Sequence, residues 1–165
     1  MAKLIYPLKQ VLEIKQKRVE DAEKVLREKQ QVLAQEEEKL AQRKAERDKV
    51  LQHRTDKLQQ LRDELDHGTT SPKVQQMKVY IKVVQEKLVV EEKKVQDQQT
   101  KVDAAKEEVE NARRQLAIKR QEVDKLEIHK AEWEKVARKE EAIMEEREYD
   151  EVGNVIFTTK QRKND

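Results

Sequence analysis

Val74, Ile81, Leu88, Val95, Val102, Val109, Leu116 and Val123 stand at unbroken seven-residue steps. Three residues after each lies a companion position. It holds Met77, Val84, Glu91, Gln98, Ala105, Ala112, Lys119 and Leu126, with Trp133 one step further. A stripe of period 3.5 winds slowly around a helix, and it stays covered only if a second helix supercoils with it to the left. The repeat therefore demands a helical partner. Composition alone does not decide this. Charged residues make up 44% of the chain and aromatic residues 3%, which suits a disordered chain as well as a long coil.

The first part of the chain carries the same kind of repeat. Leu12, Val19, Leu26, Leu33 and Leu40 form one series, and Leu51, Leu58 and Leu65 another. The step from Leu40 to Leu51 is eleven residues, a heptad plus four. Such a stutter unwinds a supercoil locally, so a straighter stretch is expected there.

Two glycines and two prolines punctuate the 165 residues. Gly68 and Pro72 fall between the two repeats. Gly68 can adopt the left-handed conformation that ends a helix. Ser71 can cap a new helix whose first residue is Pro72, where the missing N–H costs nothing. Across this turn Leu65 faces Val74, Leu58 faces Ile81 and Leu51 faces Leu88, as in an antiparallel hairpin. One straight helix dimerising through the same seam would carry Pro72 in its interior, at about 3 kcal/mol or more. The expected fold is all-α, a long antiparallel two-helix coiled-coil hairpin within residues 1–152. Arm one covers about 3–67, the turn 68–71 and arm two about 72–150. Each arm would reach roughly 90–100 Å, with arm two projecting past arm one. After Gly153 the residues 153–165 read as a flexible or β-prone tail, frayed or adding a strand to the sheet edge of a partner.

Glu91, Gln98 and Lys119 interrupt the seam. Their long side chains are expected to snorkel outward. Near the turn, Val79, Tyr80, Val83, Val89 and Val90 add apolar surface beyond the stripe a two-stranded coil needs. Surplus of this kind marks a partner-binding face, and Val79, Tyr80, Val83 and Val90 are its candidate residues. Trp133 lies on the seam and reads as a core filler.

Nothing in the sequence equips the chain for catalysis. His53, His67 and His129 are not spaced as metal ligands, and there is no cysteine. His67 belongs to the turn, and the other two read as helical surface. The acidic runs sit on a hydrated helix, without the burial that tunes a general acid. Phosphate loops and nucleophile elbows are absent. The expectation is a non-enzyme without cofactors. A net charge of +2 with interleaved signs argues against nucleic acid. No apolar run is long enough to span a membrane, and the first ten residues lack a signal-peptide core. The chain reads as cytoplasmic.

Residues 6–29, YPLKQVLEIKQKRVEDAEKVLREK, resemble the N-terminal helix of the YscO/FliJ group, the central stalk proteins of type III secretion and flagellar export. The match lies in PLKQVLEIKQKRVEDAE, and chain length and the mid-chain turn agree with it. The resemblance implies a two-helix stalk in the centre of a hexameric export ATPase. It would couple that ring to the cytoplasmic domain of the export gate and contact secretion chaperones, peripheral to the apparatus. By this analogy the open end enters the ring, which places Lys9, Lys15, Lys17 and Arg18 near the ATPase. The flank of the turn then becomes the gate contact. The rival readings are a passive structural scaffold and a chaperone-like binder of secreted substrates.

Overall fold

A computed structural model describes residues 4–164, without the Asn164 side chain. Two helices account for nearly all of them. Helix α1 spans Lys9–His67 and helix α2 spans Ser71–Asn164. Among the described residues there is no strand. The chain divides into two compact units, one of residues 23–114 and the other of residues 1–22 with 115–165.

The first unit is a helical hairpin around the turn. Gly68 takes φ +74, a conformation that costs an L side chain about 1–2 kcal/mol. Its N–H donates to the Leu65 carbonyl at 3.4 Å, tightening the last turn of α1. The Val74 N–H donates to the Thr70 carbonyl at 3.2 Å. Thr70, not Ser71, is therefore the half-in residue ahead of α2, and Pro72 is its second helical residue. Pro72 still lies within the first turn, where its lack of an N–H forfeits no intrahelical bond.

Every seam position of α2 in this unit is shielded. Val84, Leu88, Val95, Val102, Ala105, Val109 and Ala112 are buried, and Val74, Met77 and Ile81 are half-buried. Leu40, Val95 and Val102 form its core cluster, with Leu33 packed against it. The ion pairs Lys29–Glu108 at 3.2 Å and Lys73–Glu64 at 3.1 Å cross between the helices. The residue numbers of both pairs have the same sum, so the two helices run antiparallel in one register.

The expected stutter in α1 does not occur. Beyond Leu40 the shielded positions are Arg47, Val50, Arg54, Lys57, Leu58, Leu61 and Glu64, and all of them except Leu58, which borders the seam, continue the heptad of Leu26, Leu33 and Leu40 without a slip. Leu51 and Leu65 are left 38% and 53% exposed beside the seam, so they do not pair with Leu88 and Val74 as expected. The reason lies in α2. Its seam never changes step, and α1 can follow it only by staying in phase. Arg and Lys stems can line a seam while their charged heads reach water. Arg54 lies along the seam with its Nε shut away from water, and it donates from Nη1 to Gln85 Oε1 at 2.6 Å.

The polar seam residues also behave differently from expectation. Glu91 and Gln98 are buried, at 8% and 7% exposure. Gln98 turns inward, and its Nε2 donates to the Glu36 backbone carbonyl at 3.0 Å and to the Glu36 carboxylate. Glu91 accepts from Lys94 at 3.1 Å. A polar group shut away from water is costly unless bonded, and the facing backbone carbonyl gives Gln98 a partner in this register.

The second unit pairs the start of α1 with the far part of α2. Leu12, Leu116 and Val123 are buried, and Val19, Lys119, Leu126 and Trp133 are half-buried. Tyr6, ahead of α1, is buried at 4% exposure. From residue 142 to residue 163 every position of α2 is exposed. The tail reading is corrected here. Helix α2 runs through Gly153 to Asn164, with neither the turn at Gly153 nor the β-prone strand after it. Extending a formed helix gains one hydrogen bond per residue, whereas a lone strand gains none. Gly153 and the β-branched residues cost about 1 kcal/mol or less each. The hydroxyls of Thr158 and Thr159 bond back to the Asn154 and Val155 carbonyls at 2.9 and 2.7 Å.

Candidate functional site

In the hairpin unit the surplus apolar residues are on the surface. Val79, Tyr80, Val83 and Val90 are 62%, 46%, 56% and 53% exposed. The steps from Val79 to Val83 to Val90 are four and seven residues, which keeps these side chains on one face of α2. Tyr80 is the fixed point of this face. Its hydroxyl is 2.8 Å from His53 Nε2, and the two rings meet edge-on at 5.8 Å. Lys57 Nζ sits 5.4 Å from the centre of the same ring, within the range of a cation–π contact. Shallow grooves border Tyr80 on three sides. Gln76, Met77 and Ile81 line one, Val79 and Val83 another, and Val50, Val84 and Lys87 the third. An aromatic side chain with its rotamer held and apolar grooves beside it is suited to bind an apolar side chain of a partner.

The second candidate lies in the other unit, at the start of α1. Lys9, Lys17 and Arg18 are exposed. Lys15 is not free in the same way. Its Nζ is 3.0 Å from Glu122 Oε2, and both side chains are partly shielded. The Glu122 carboxyl is held below its ordinary value of 4.5, chiefly by that hydrogen bond. Burial opposes the effect, and the charges of Lys119, Lys15 and Arg18 add to it. Lys15 thus ties the two helices together, while Lys9, Lys17 and Arg18 offer exposed cations.

Sequence reasoning missed the aromatic contacts. The Tyr6 hydroxyl is hydrogen-bonded to His129 Nδ1, and its ring meets Trp133 edge-on at 5.5 Å. His129 and His53 are on the helical surface, as expected. Each also pairs with a tyrosine from the other side of its unit, 123 and 27 residues away. No local pattern announces a pair at such separation. The available signal was that tyrosines near seam positions need a polar partner for the hydroxyl. Among the described residues no group of three or more His, Cys, Asp or Glu side chains could hold a metal ion. No helix there is long and apolar enough to cross a membrane.

The family model described as YscO-like protein matches residues 3–163. The chain belongs to the YscO-like family. A solved structure described as that of a YscO homolog from Chlamydia trachomatis is similar to this family member throughout. The two share 48% identity over 98% of this chain and 99% of that one, with a TM-score of 0.93. A chain from the Chlamydia pneumoniae CdsV and CdsO protein complex is 54% identical over 51% of this YscO-like chain and 98% of its own length, with a TM-score of 0.49. No curated protein matches significantly. Membership in the family makes this a type III secretion protein.

Proposed function

We propose that this YscO-like protein is a non-enzymatic central stalk of a type III export apparatus. It couples a hexameric export ATPase to the cytoplasmic domain of the export gate and contacts secretion chaperones. The observation that carries the reading is the antiparallel coil in each unit, held by a shielded seam, in a chain of this family. A supercoiled helix pair resists bending and offers two long polar faces, which suits transmission of a mechanical bias between partners. Exposed charges contribute little to stability and are therefore available for reversible, steered contacts. Lys9, Lys17 and Arg18 are the contacts with the ATPase, and Lys15 positions them through Glu122. Val79, Tyr80, Val83 and Val90 are the contacts with the gate.

The test uses the purified cognate ATPase. Adding the full chain should give a complex and change ATP turnover. Lys9→Glu, Lys17→Glu and Arg18→Glu together should abolish both effects, while Val83→Asp should leave them intact and abolish capture of the gate domain. A chain that neither binds the ATPase nor alters its turnover ends the stalk reading and leaves a passive scaffold. If Val83→Asp loses secreted cargo and keeps the gate, this face serves as a binder of secreted substrates.

A further inference from the structure

The exposed end of α2 carries a second repeat. The seam that pairs with α1 turns largely polar after Trp133 and Ala137, at Glu140, Arg147, Glu151, Asn154, Thr158 and Gln161, with Met144 its apolar exception. Another face then takes up the heptad spacing. Glu141, Glu145, Glu148, Val152, Val155, Thr159 and Arg162 follow one another at alternating steps of four and three. Steps of four and three place them along one side of the helix. Tyr149 and Ile156 flank the middle of this stripe. Tyr149, Val152, Val155 and Ile156 are 77%, 56%, 64% and 53% exposed. The Thr159 hydroxyl is occupied by the Val155 carbonyl at 2.7 Å, which leaves its methyl group for the face.

The stripe has a direction. Its first part is acidic, its middle apolar and its last part basic, with Lys160 and Lys163 beside Arg162. The complement of such a face is the same face reversed. We infer that residues 141–163 form a self-pairing surface, on which a second copy of this chain docks antiparallel through the same residues. Around a two-fold axis at Val152, Glu141 comes opposite Lys163, Glu148 opposite Ile156, and Glu145 opposite Thr159 with Lys160 beside it. Val152 meets its own counterpart. This is the self-complementary geometry of a two-fold dimer. A parallel pairing would set glutamate against glutamate and lysine against lysine. The ion pairs choose orientation and partner, and the four apolar side chains supply the burial. Ile143 and Phe157 lie on the opposite side and take no part. The inference concerns this chain alone and does not rest on the stalk reading.

The experiment is sedimentation equilibrium on the full chain at concentrations up to about 1 mM. The expected result is a reversible dimer whose association constant falls by about tenfold or more from roughly 50 mM to roughly 500 mM salt, as screening removes the ion pairs. Two charge-reversed variants decide the geometry. One carries Glu141→Lys with Glu145→Lys, the other Lys160→Glu, Arg162→Glu and Lys163→Glu. Each alone should dimerise at least about tenfold more weakly than the parent, and an equimolar mixture should recover a one-to-one heterodimer. Glu145, Lys160, Arg162 and Lys163 are exposed and Glu141 is half-buried, and far-UV circular dichroism checks that both variants remain helical. A parent chain that stays monomeric overturns the inference. So does a dimer indifferent to both reversals, or a mixture that fails to associate. If Val152→Asp leaves association unchanged, another surface carries it and the assignment falls.

Discussion

Val102 and Val83 lie on the same helix of the same unit and differ in burial, at 1% and 56% exposure. Replacing each by alanine separates the energetics of the seam from those of the helix. Alanine is the better helix former at both sites, by roughly 0.5 kcal/mol. At Val102 the change also removes two methyl groups beside Leu40 and Val95, the core cluster of the hairpin unit. At about 0.8 kcal/mol per buried carbon group this costs about 1.6 kcal/mol, and an unfilled cavity raises it toward about 2.5. Net of helix propensity, Val102→Ala should destabilise by about 1–2 kcal/mol. At Val83 the burial lost is about 0.5 kcal/mol or less, so propensity and burial nearly cancel. The difference between the variants removes the propensity contribution and leaves burial, about 1.5–2 kcal/mol. Urea unfolding of the full chain, followed by far-UV circular dichroism, reads it as a shift of midpoint at common slope. Equal midpoints for the two variants would refute the assignment of one valine to the seam and the other to the surface.

The two glycines should respond in opposite senses. Gly68→Ala places a side chain at φ +74 and should destabilise by about 1–2 kcal/mol. Gly153 lies inside α2 with nothing within 4 Å of an added Cβ, so Gly153→Ala should stabilise the local helix by roughly 0.5–1 kcal/mol. Slower amide exchange over residues 153–163 would register that gain, and unchanged exchange would count against a helix there. Acid should act through Glu122, whose carboxyl is held below 4.5 chiefly by Lys15. A lowered pKa in the folded state contributes stability above the unfolded value, and the contribution is lost as pH falls through the folded one. Lys15→Met should therefore flatten the decline in denaturation midpoint between about pH 5 and pH 3. A variant that declines as steeply as the parent would show that the pair does not contribute.

The candidate faces were only partly visible in the sequence. The surplus of Val79, Tyr80, Val83 and Val90 over what a seam requires could be counted directly, and these residues are exposed. That Tyr80 is held by His53 and Lys57 could not be read, because those residues come from the other helix. Near the start of α1 the basic residues were legible as charges. Only the structure separates Lys15, bound to Glu122, from its exposed neighbours.

By itself the sequence determined the helices, the seam of α2 and the reversal at Gly68. Each of these is a local property, set by period, propensity or the conformational freedom of one residue. Tertiary structure decided which stripe of α1 meets that seam. Leu51, Leu58 and Leu65 offered one phase, of which Leu58 alone is half-buried, and Val50, Arg54 and Leu61 another. The second is used because α2 never changes step, and arginine and lysine can lie along a seam and still reach water. The same holds for Gln98, which turns inward because the Glu36 carbonyl faces it. A repeat states what one helix can present, but the partner's phase determines which of its residues are covered.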